Sequence, residues 1–395
     1  MKLNNTAGLI FIVSFLSMLG PFSIDTYLPS FPSIENEFLV SRDYLSRTIA
    51  FYMVATAISA LFWGPLSDRL GRKPVIQLTL VLYTAASLGC AFAANYSDFL
   101  IARVFQGLAA SGGLVIGRAM VRDVYDSRDA HRAMAYVLML FALAPALAPI
   151  IGGWLHNAAG WRSIFYFLSF YSVVLLVASS LFLRETLTYE KRRSFHPLYV
   201  LRVYLQTILH IEFIMLVLAL GVSFAGLFIY IAGSPTLMFE FLGLSSGDFA
   251  LQFVPMTAGI IAGSFLSGKL SRRWSKRKII NVAFIIMGFA VSVNILQAVF
   301  MQPTLVPVVA PVVIYAFGVA MSMPAFGILA IDSFPGNKGA AAAVQSFVQI
   351  IFSALVAGVV LSFISESIIG FASGQMLMLV ISALLWGVYC FLRNK

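Results

Sequence analysis

Twelve long apolar runs leave this chain one kind of solvent to fold in. They extend over residues 7–29, 44–66, 74–95, 98–121, 131–156, 161–184, 211–241, 247–269, 278–301, 304–332, 339–366 and 370–392. Each is long enough to cross a hydrocarbon core of about 30 Å as a helix of about 20 residues. Some 60 % of the residues are hydrophobic and only 11 % charged, too little polar surface for a water-soluble globule of this length. A transmembrane barrel would need period-two alternation in segments of about ten residues, whereas these runs are apolar on every face. The expectation is an all-α integral membrane protein with twelve transmembrane helices.

The loop between the second and third runs reads GPLSDRLGRK, Gly64 to Lys73, and GKLSRRWSKR, Gly268 to Arg277, repeats it half a chain later. Basic residues recur at matching offsets, each copy between apolar runs, which is the mark of an internal repeat. The predicted organisation is an N-terminal six-helix half (1–184), a cytoplasmic linker (185–210) and a C-terminal six-helix half (211–395), pseudo-symmetric around a central cavity.

Charge gives the orientation. Of the 26 Lys and Arg, 22 fall on one side: Lys2, the second, fourth, middle and eighth connections, Lys338, Arg393 and Lys395. Such residues resist translocation, so both termini and the basic loops are expected in the cytoplasm. The net charge of +10 follows from this topology and from attraction to anionic lipid; no nucleic acid is implied. Lys2 before an apolar run resembles a secretory signal, but no small-residue cleavage site follows and the run continues past Asp25 to Pro29 and Pro32, as a retained first helix would. Cys90 and Cys390 lack metal-ligand spacing, and His131, His156, His196 and His210 lie at or near helix ends. No enzyme, metal or organic cofactor is expected.

A charge at mid-membrane costs about 2.5–3.5 kcal/mol on insertion scales, and most acids here sit at segment ends. Asp25 and Arg103 are the exceptions. At about 1.5 Å per residue, Asp25 lies about 27 Å along the first helix and Arg103 about 8 Å into the fourth, which puts them at similar depth and able to neutralise each other across a cavity. Burial and a neighbouring guanidinium act on a carboxyl group in opposite senses, so a cavity that opens and closes can load and release a proton at Asp25. If substrate enters only when Asp25 is ionised, proton and substrate exclude each other, which is the minimal logic of antiport.

The loop Gly64 to Lys73 resembles the signature loop of the major facilitator superfamily. IARVFQGLAASGG (Ile101 to Gly113) is similar to the fourth-helix motif of its drug/proton antiporters, with Arg103, Gln106 and Gly107 matching. APALAPIIGGW, from Ala144, resembles their fifth-helix motif, and SIDTYLPSFP, GRAMVRDVY, GWRSIFYFL and YIAGSPTLMFE resemble the bicyclomycin-resistance/chloramphenicol-efflux (Bcr/CflA) branch. The resemblance covers nearly the whole chain. It implies that Asp25 and Arg103 couple transport to protons and that Gly64, Asp68, Arg69, Gly71, Arg72 and Lys73 form a cytoplasmic latch. In the second copy Arg272 stands at the offset of Asp68 and Ser275 at that of Gly71, so the second latch is expected weak or absent. In the fifth helix Ala144 and Ala148 stand where the family has Gly, while Pro145, Pro149, Gly152 and Gly153 remain. Those small residues are expected to pack against a helix of the other half and suppress leak.

Tyr27, Tyr52, Gln106, Phe224, Tyr230, Gln345 and Gln349 are candidate cavity residues. Aromatic and thioether groups accept varied amphipathic molecules. The function expected is proton-driven efflux of drug-like molecules by alternating access, across a bacterial inner membrane and by a monomer. Export of a polar metabolite such as a carboxylate siderophore, proton-coupled uptake, and a transport-inactive sensor or scaffold are the alternatives.

Overall fold

A computed structural model describes residues 3–125, 127–192, 197–334 and 338–393; Lys2, Asp126, Arg193, His196 and Lys395 lie outside them. Among the described residues all regular structure is helical: α1 Leu3–Asp25, α2 Phe31–Phe38, α3 Arg42–Leu70, α4 Arg72–Ala91, α5 Tyr96–Val124, α6 Ser127–Phe141, α7 Ala144–Ala159, α8 Arg162–Phe182, α9 Pro197–Ile208, α10 Ile211–Ala232, α11 Ala250–Leu270, α12 Lys276–Phe300, α13 Leu305–Ser333, α14 Lys338–Leu355, α15 Leu361–Ile364 and α16 Ile368–Arg393. Twelve stretches of this series are long and apolar enough to cross a membrane, from Gly8–Phe38 to Ile368–Arg393.

Proline explains where the spans break. The first span is α1 and α2 joined by a 3₁₀ turn at Leu28–Ser30. Pro29 and Pro32 each remove a backbone donor and disfavour helix at the residue before them, so α1 stops at Asp25 and helix resumes at Phe31. The fifth span breaks likewise at Ala142 and Leu143, and α7 begins with Pro145 in its first turn. Caps set other ends: the Asn95 side chain accepts from the Asp98 amide at the start of α5, 3.0 Å, and Ser275 does the same for Lys278 at α12, 3.2 Å.

The chain forms two compact units, Met1–Val200 and Leu201–Lys395. In the first, α5 packs against α3, α4, α1 and α6, and α4 against α8; in the second, α13 packs against α11, α12, α10 and α14, and α12 against α16. The pairing scheme repeats, as the duplicated loop requires. Phe11, Phe105, Phe170, Phe265, Phe289 and Phe363 are exposed. In water each would forfeit about 1.5–3 kcal/mol of burial, a cost that lipid removes.

Candidate functional site

The break in the first span places Asp25 as the last residue of α1, buried, with no hydrogen bond or ion pair to any described residue. The turn behind it is held locally: the Thr26 amide and hydroxyl both donate to the Phe22 carbonyl, at 3.3 and 2.5 Å, and the Ser30 amide to the Tyr27 carbonyl at 2.9 Å. Helix α7 closes over this turn. A Cβ on Gly152 would sit 1.8 Å from the Thr26 carbonyl oxygen, so only glycine fits that approach.

Arg103, on α5, is wholly buried. Its guanidinium lies between two aromatic faces, 4.6 Å from the ring centre of Tyr27 and 4.4 Å from that of Tyr52. It donates to the Gln106 side-chain oxygen, and the Gln106 amide donates to Ser87 Oγ at 2.8 Å. The expected ion pair with Asp25 does not form, because the negative π faces of two tyrosines hold the cation instead.

Proton ownership can be read from the neighbouring hydroxyls. Ser23 gives its hydrogen to the Leu19 carbonyl (2.6 Å) and Thr48 gives its own to the Leu45 carbonyl (2.6 Å). Tyr83 therefore donates to Ser23 (2.5 Å) and Tyr27 to Thr48 (2.9 Å). Left without a partner in hydrogen-bond geometry are Arg103 Nε and Nη2 and the Tyr52 hydroxyl. Tyr52 lies within electrostatic reach of both Arg103 and Asp25. An unmet buried polar group costs about 1–3 kcal/mol, so this cluster keeps its donors open at the expense of stability.

The other cavity candidates separate. Tyr27, Tyr52 and Gln106 converge on Arg103. In the second unit Phe224 is half-buried and stacks on Phe228, Gln345 lies against Gly327 with its oxygen unpaired, and Gln349 is half-buried. Tyr230 is sequestered: its hydroxyl meets the Asn294 amide at 2.6 Å, its ring packs on Phe371, and Asn294 also reaches Gln375 at 2.9 Å.

The signature loop forms a closed network. Arg72 pairs with Asp68 at 2.6 Å and Asp123 at 3.0 Å and donates to Ser67 Oγ at 2.6 Å. Glu185 accepts from the backbone amides of Arg72, Lys73 and Leu187, at 2.9, 3.1 and 2.9 Å, capping the start of α4. Lys73 Nζ reaches the Ser180 carbonyl at 2.8 Å. Gly71, at φ +106°, turns the chain into this contact, and a Cβ there would meet Glu185 at 2.5 Å. Gly64 is in ordinary contact with Val115 and Arg69 is exposed. In the second copy Lys276, at the offset of Arg72, pairs with Asp332 at 2.7 Å, while Lys278 stacks on Trp274 and Arg272 is exposed. One ion pair of the first copy has a counterpart there, and the local acid is gone.

In the fifth-helix motif Ala144, Ala148, Pro149, Gly152 and Gly153 are buried. Gly152 is committed to Thr26 of its own unit, where the broken backbone of the first span offers a carbonyl to the approaching helix.

Sequence reasoning passed over Glu185, Asp123 as a latch partner, Ser23, Tyr83, Ser87 and Thr48. Asn294 and Gln375 carried a signal, since lone amides in apolar spans need partners. Hydroxyls gave none, because Ser and Thr satisfy themselves on their own helix.

Comparison with known proteins decides the family. The profile described as Major Facilitator Superfamily matches residues 10–357. The chain belongs to the major facilitator superfamily. It is 29 % identical over 355 residues to an uncharacterised MFS-type transporter, YdgK, of Bacillus subtilis, covering 89 % of this chain and 88 % of that one. It is 29 % identical to a bicyclomycin resistance protein homolog of Haemophilus influenzae, over 70 % of each chain. It is also 29 % identical to the multidrug resistance protein MdtL of Klebsiella pneumoniae, over 86 % of this chain and 85 % of that one. Among solved structures, a D-xylose-proton symporter superposes with a TM-score of 0.75 at 14 % identity, covering 96 % and 97 % of the chains. The protein is thus a multi-pass membrane transporter with resistance proteins among its relatives.

Proposed function

We propose that this facilitator exports small amphipathic molecules across a bacterial inner membrane in exchange for protons, by alternating access. The observation that carries the reading is the buried carboxyl of Asp25, the one buried acid among the described residues, with Tyr52 in electrostatic reach of both it and Arg103, whose Nε and Nη2 lack partners. Asp25 is the group that loads and releases the proton, and Tyr27, Tyr52 and Gln106 hold Arg103 in place. The Arg72 network stabilises one state of the cycle, and the Lys/Arg asymmetry of the loops supports cytoplasmic termini. Resistance proteins among the relatives support export of drug-like compounds.

A second substrate class is favoured by the two open N–H groups of Arg103. They fit a carboxylate, so a polar acidic metabolite competes with neutral or cationic drugs.

The test is substrate-triggered proton release in everted membrane vesicles carrying a respiration-generated pH gradient, with a panel of lipophilic cations, neutral antibiotics and carboxylate siderophores. A compound that dissipates the gradient with wild type and not with Asp25→Asn supports antiport and names the substrate class. Equal dissipation by both proteins removes Asp25 from the mechanism, and accumulation driven by inward protons assigns uptake.

A further inference from the structure

We infer that Gly152 is a positioning residue for Asp25: by seating α7 on the Thr26 carbonyl, it fixes where the broken end of α1 presents its carboxyl group. This rests on Asp25 being the coupling acid.

The geometry is restrictive. A Cβ at 152 would lie 1.8 Å from the Thr26 oxygen, 2.6 Å from its carbonyl carbon and 2.8 Å from its Cα. All three are backbone atoms, so no rotamer change relieves the contact. Reaching the 3.0 Å at which real Cβ contacts begin means displacing the turn or α7 by about 1 Å, a misplacement able to cost about 100-fold in a site that depends on alignment. Thr26 is bonded directly to Asp25. On its C-terminal side the turn has little slack, since the Ser30 amide is tied to the Tyr27 carbonyl and Pro29 fixes the backbone there, while the Thr26 hydroxyl and amide bind it to Phe22 on the Asp25 side. The displacement therefore passes to Asp25.

The charged and titratable groups around this point are few. From α5 there is Arg103, from α3 Tyr52 and from α4 Tyr83 through Ser23. Helix α8 brings Tyr171, bonded to the Phe15 carbonyl, and α7 brings His156, which meets Ser33 of α2 at 3.3 Å. Helix α6, which packs on α1, carries Asp129, Arg132 and Tyr136, none of which acts on the Asp25 carboxyl. Tyr27 completes the set. A shift of Asp25 changes its distance to Tyr52 first.

The experiment needs no transported substrate. Dicyclohexylcarbodiimide modifies a protonated carboxyl group in apolar surroundings, and Asp25 is the buried acid it would find. Full-length protein in nanodiscs is labelled across a pH series and the Asp25 peptide is quantified by mass spectrometry, with Asp25→Asn as blank. Gly152→Ala is expected to move the midpoint of labelling by about half a pH unit or more. Thr26→Val, which removes the hydroxyl tie without adding bulk at α7, is expected to move it too. Gly20→Ala, on the same helix with open space around it, is expected to leave it in place. An unmoved midpoint in Gly152→Ala overturns the inference, and a raised passive proton leak in that variant would assign Gly152 to sealing instead. If Gly152→Ala does not accumulate, an unmoved midpoint in Thr26→Val overturns it alone. Failure of wild-type Asp25 to label at any pH defeats the coupling assignment itself, a result distinct from a midpoint that exists and does not move.

Discussion

The proposed exchange, with Asp25 as its one coupling acid, predicts one proton per substrate, and that ceiling is measurable. Asp25 is the only Asp or Glu buried among the described residues, so an exchange with a neutral substrate moves one charge per cycle. That charge is worth about 2.3 kcal/mol per 100 mV, and the proton adds about 1.36 kcal/mol per pH unit. At 100 mV and one unit the sum is about 3.7 kcal/mol, which sustains a substrate gradient of about 500-fold. A two-proton machine would square this to about 250,000-fold. The sensitive assay is the reversal point in proteoliposomes: with a tenfold gradient of a neutral probe and no pH difference, net probe flux should vanish near 60 mV for one proton and near 30 mV for two. In Asp25→Asn the flux should follow the probe gradient alone, indifferent to voltage. A wild-type reversal near 30 mV would refute the reasoning, because a second titrating group besides Asp25 would then have to take part.

Asp68→Asn should slow turnover while changing probe affinity less than about threefold, since Arg72 keeps Asp123 and Ser67; unchanged turnover in transport assays refutes the latch. Glu185→Ala leaves three backbone amides without their shared acceptor, and because the side chain is exposed the loss should be about 1 kcal/mol, seen as a lower unfolding temperature in detergent. Tyr230→Phe removes the acceptor of the Asn294 amide at a cost of about 1–2 kcal/mol, again read by thermal unfolding, with the labelling midpoint of Asp25 unmoved.

The spans were legible because lipid demands long apolar helices, and the paired loops disclosed the repeat. Where the spans break was half visible: Pro29, Pro32 and Pro145 mark them, yet the first helical stretch runs on to Phe38, beyond the end expected at residue 29, because α2 resumes after the turn. Asp25 and Arg103 stood out as charges in apolar surroundings, but their relation did not. Depth along two helices says nothing about azimuth, and the tyrosines that hold Arg103 look like any other membrane aromatic in a chain with fifteen of them. Glu185 was hidden for the opposite reason. It lies 113 residues from Arg72 in a charged connection where one more acid carries no signal, and only the fold brings it to the start of α4.

The seating of Arg103 between two rings separates two tasks that an ion pair would merge. In a salt bridge, protonating the acid strands a buried cation, so every neutralisation of the carboxylate is charged for both groups. Here the arginine's partners carry no net charge to lose. In the proposed cycle Asp25 passes between its two forms while the guanidinium keeps the same neighbours. The arginine is thus held independently of the acid, and deleting the carboxylate by mutation leaves its seat of two rings and Gln106 in place.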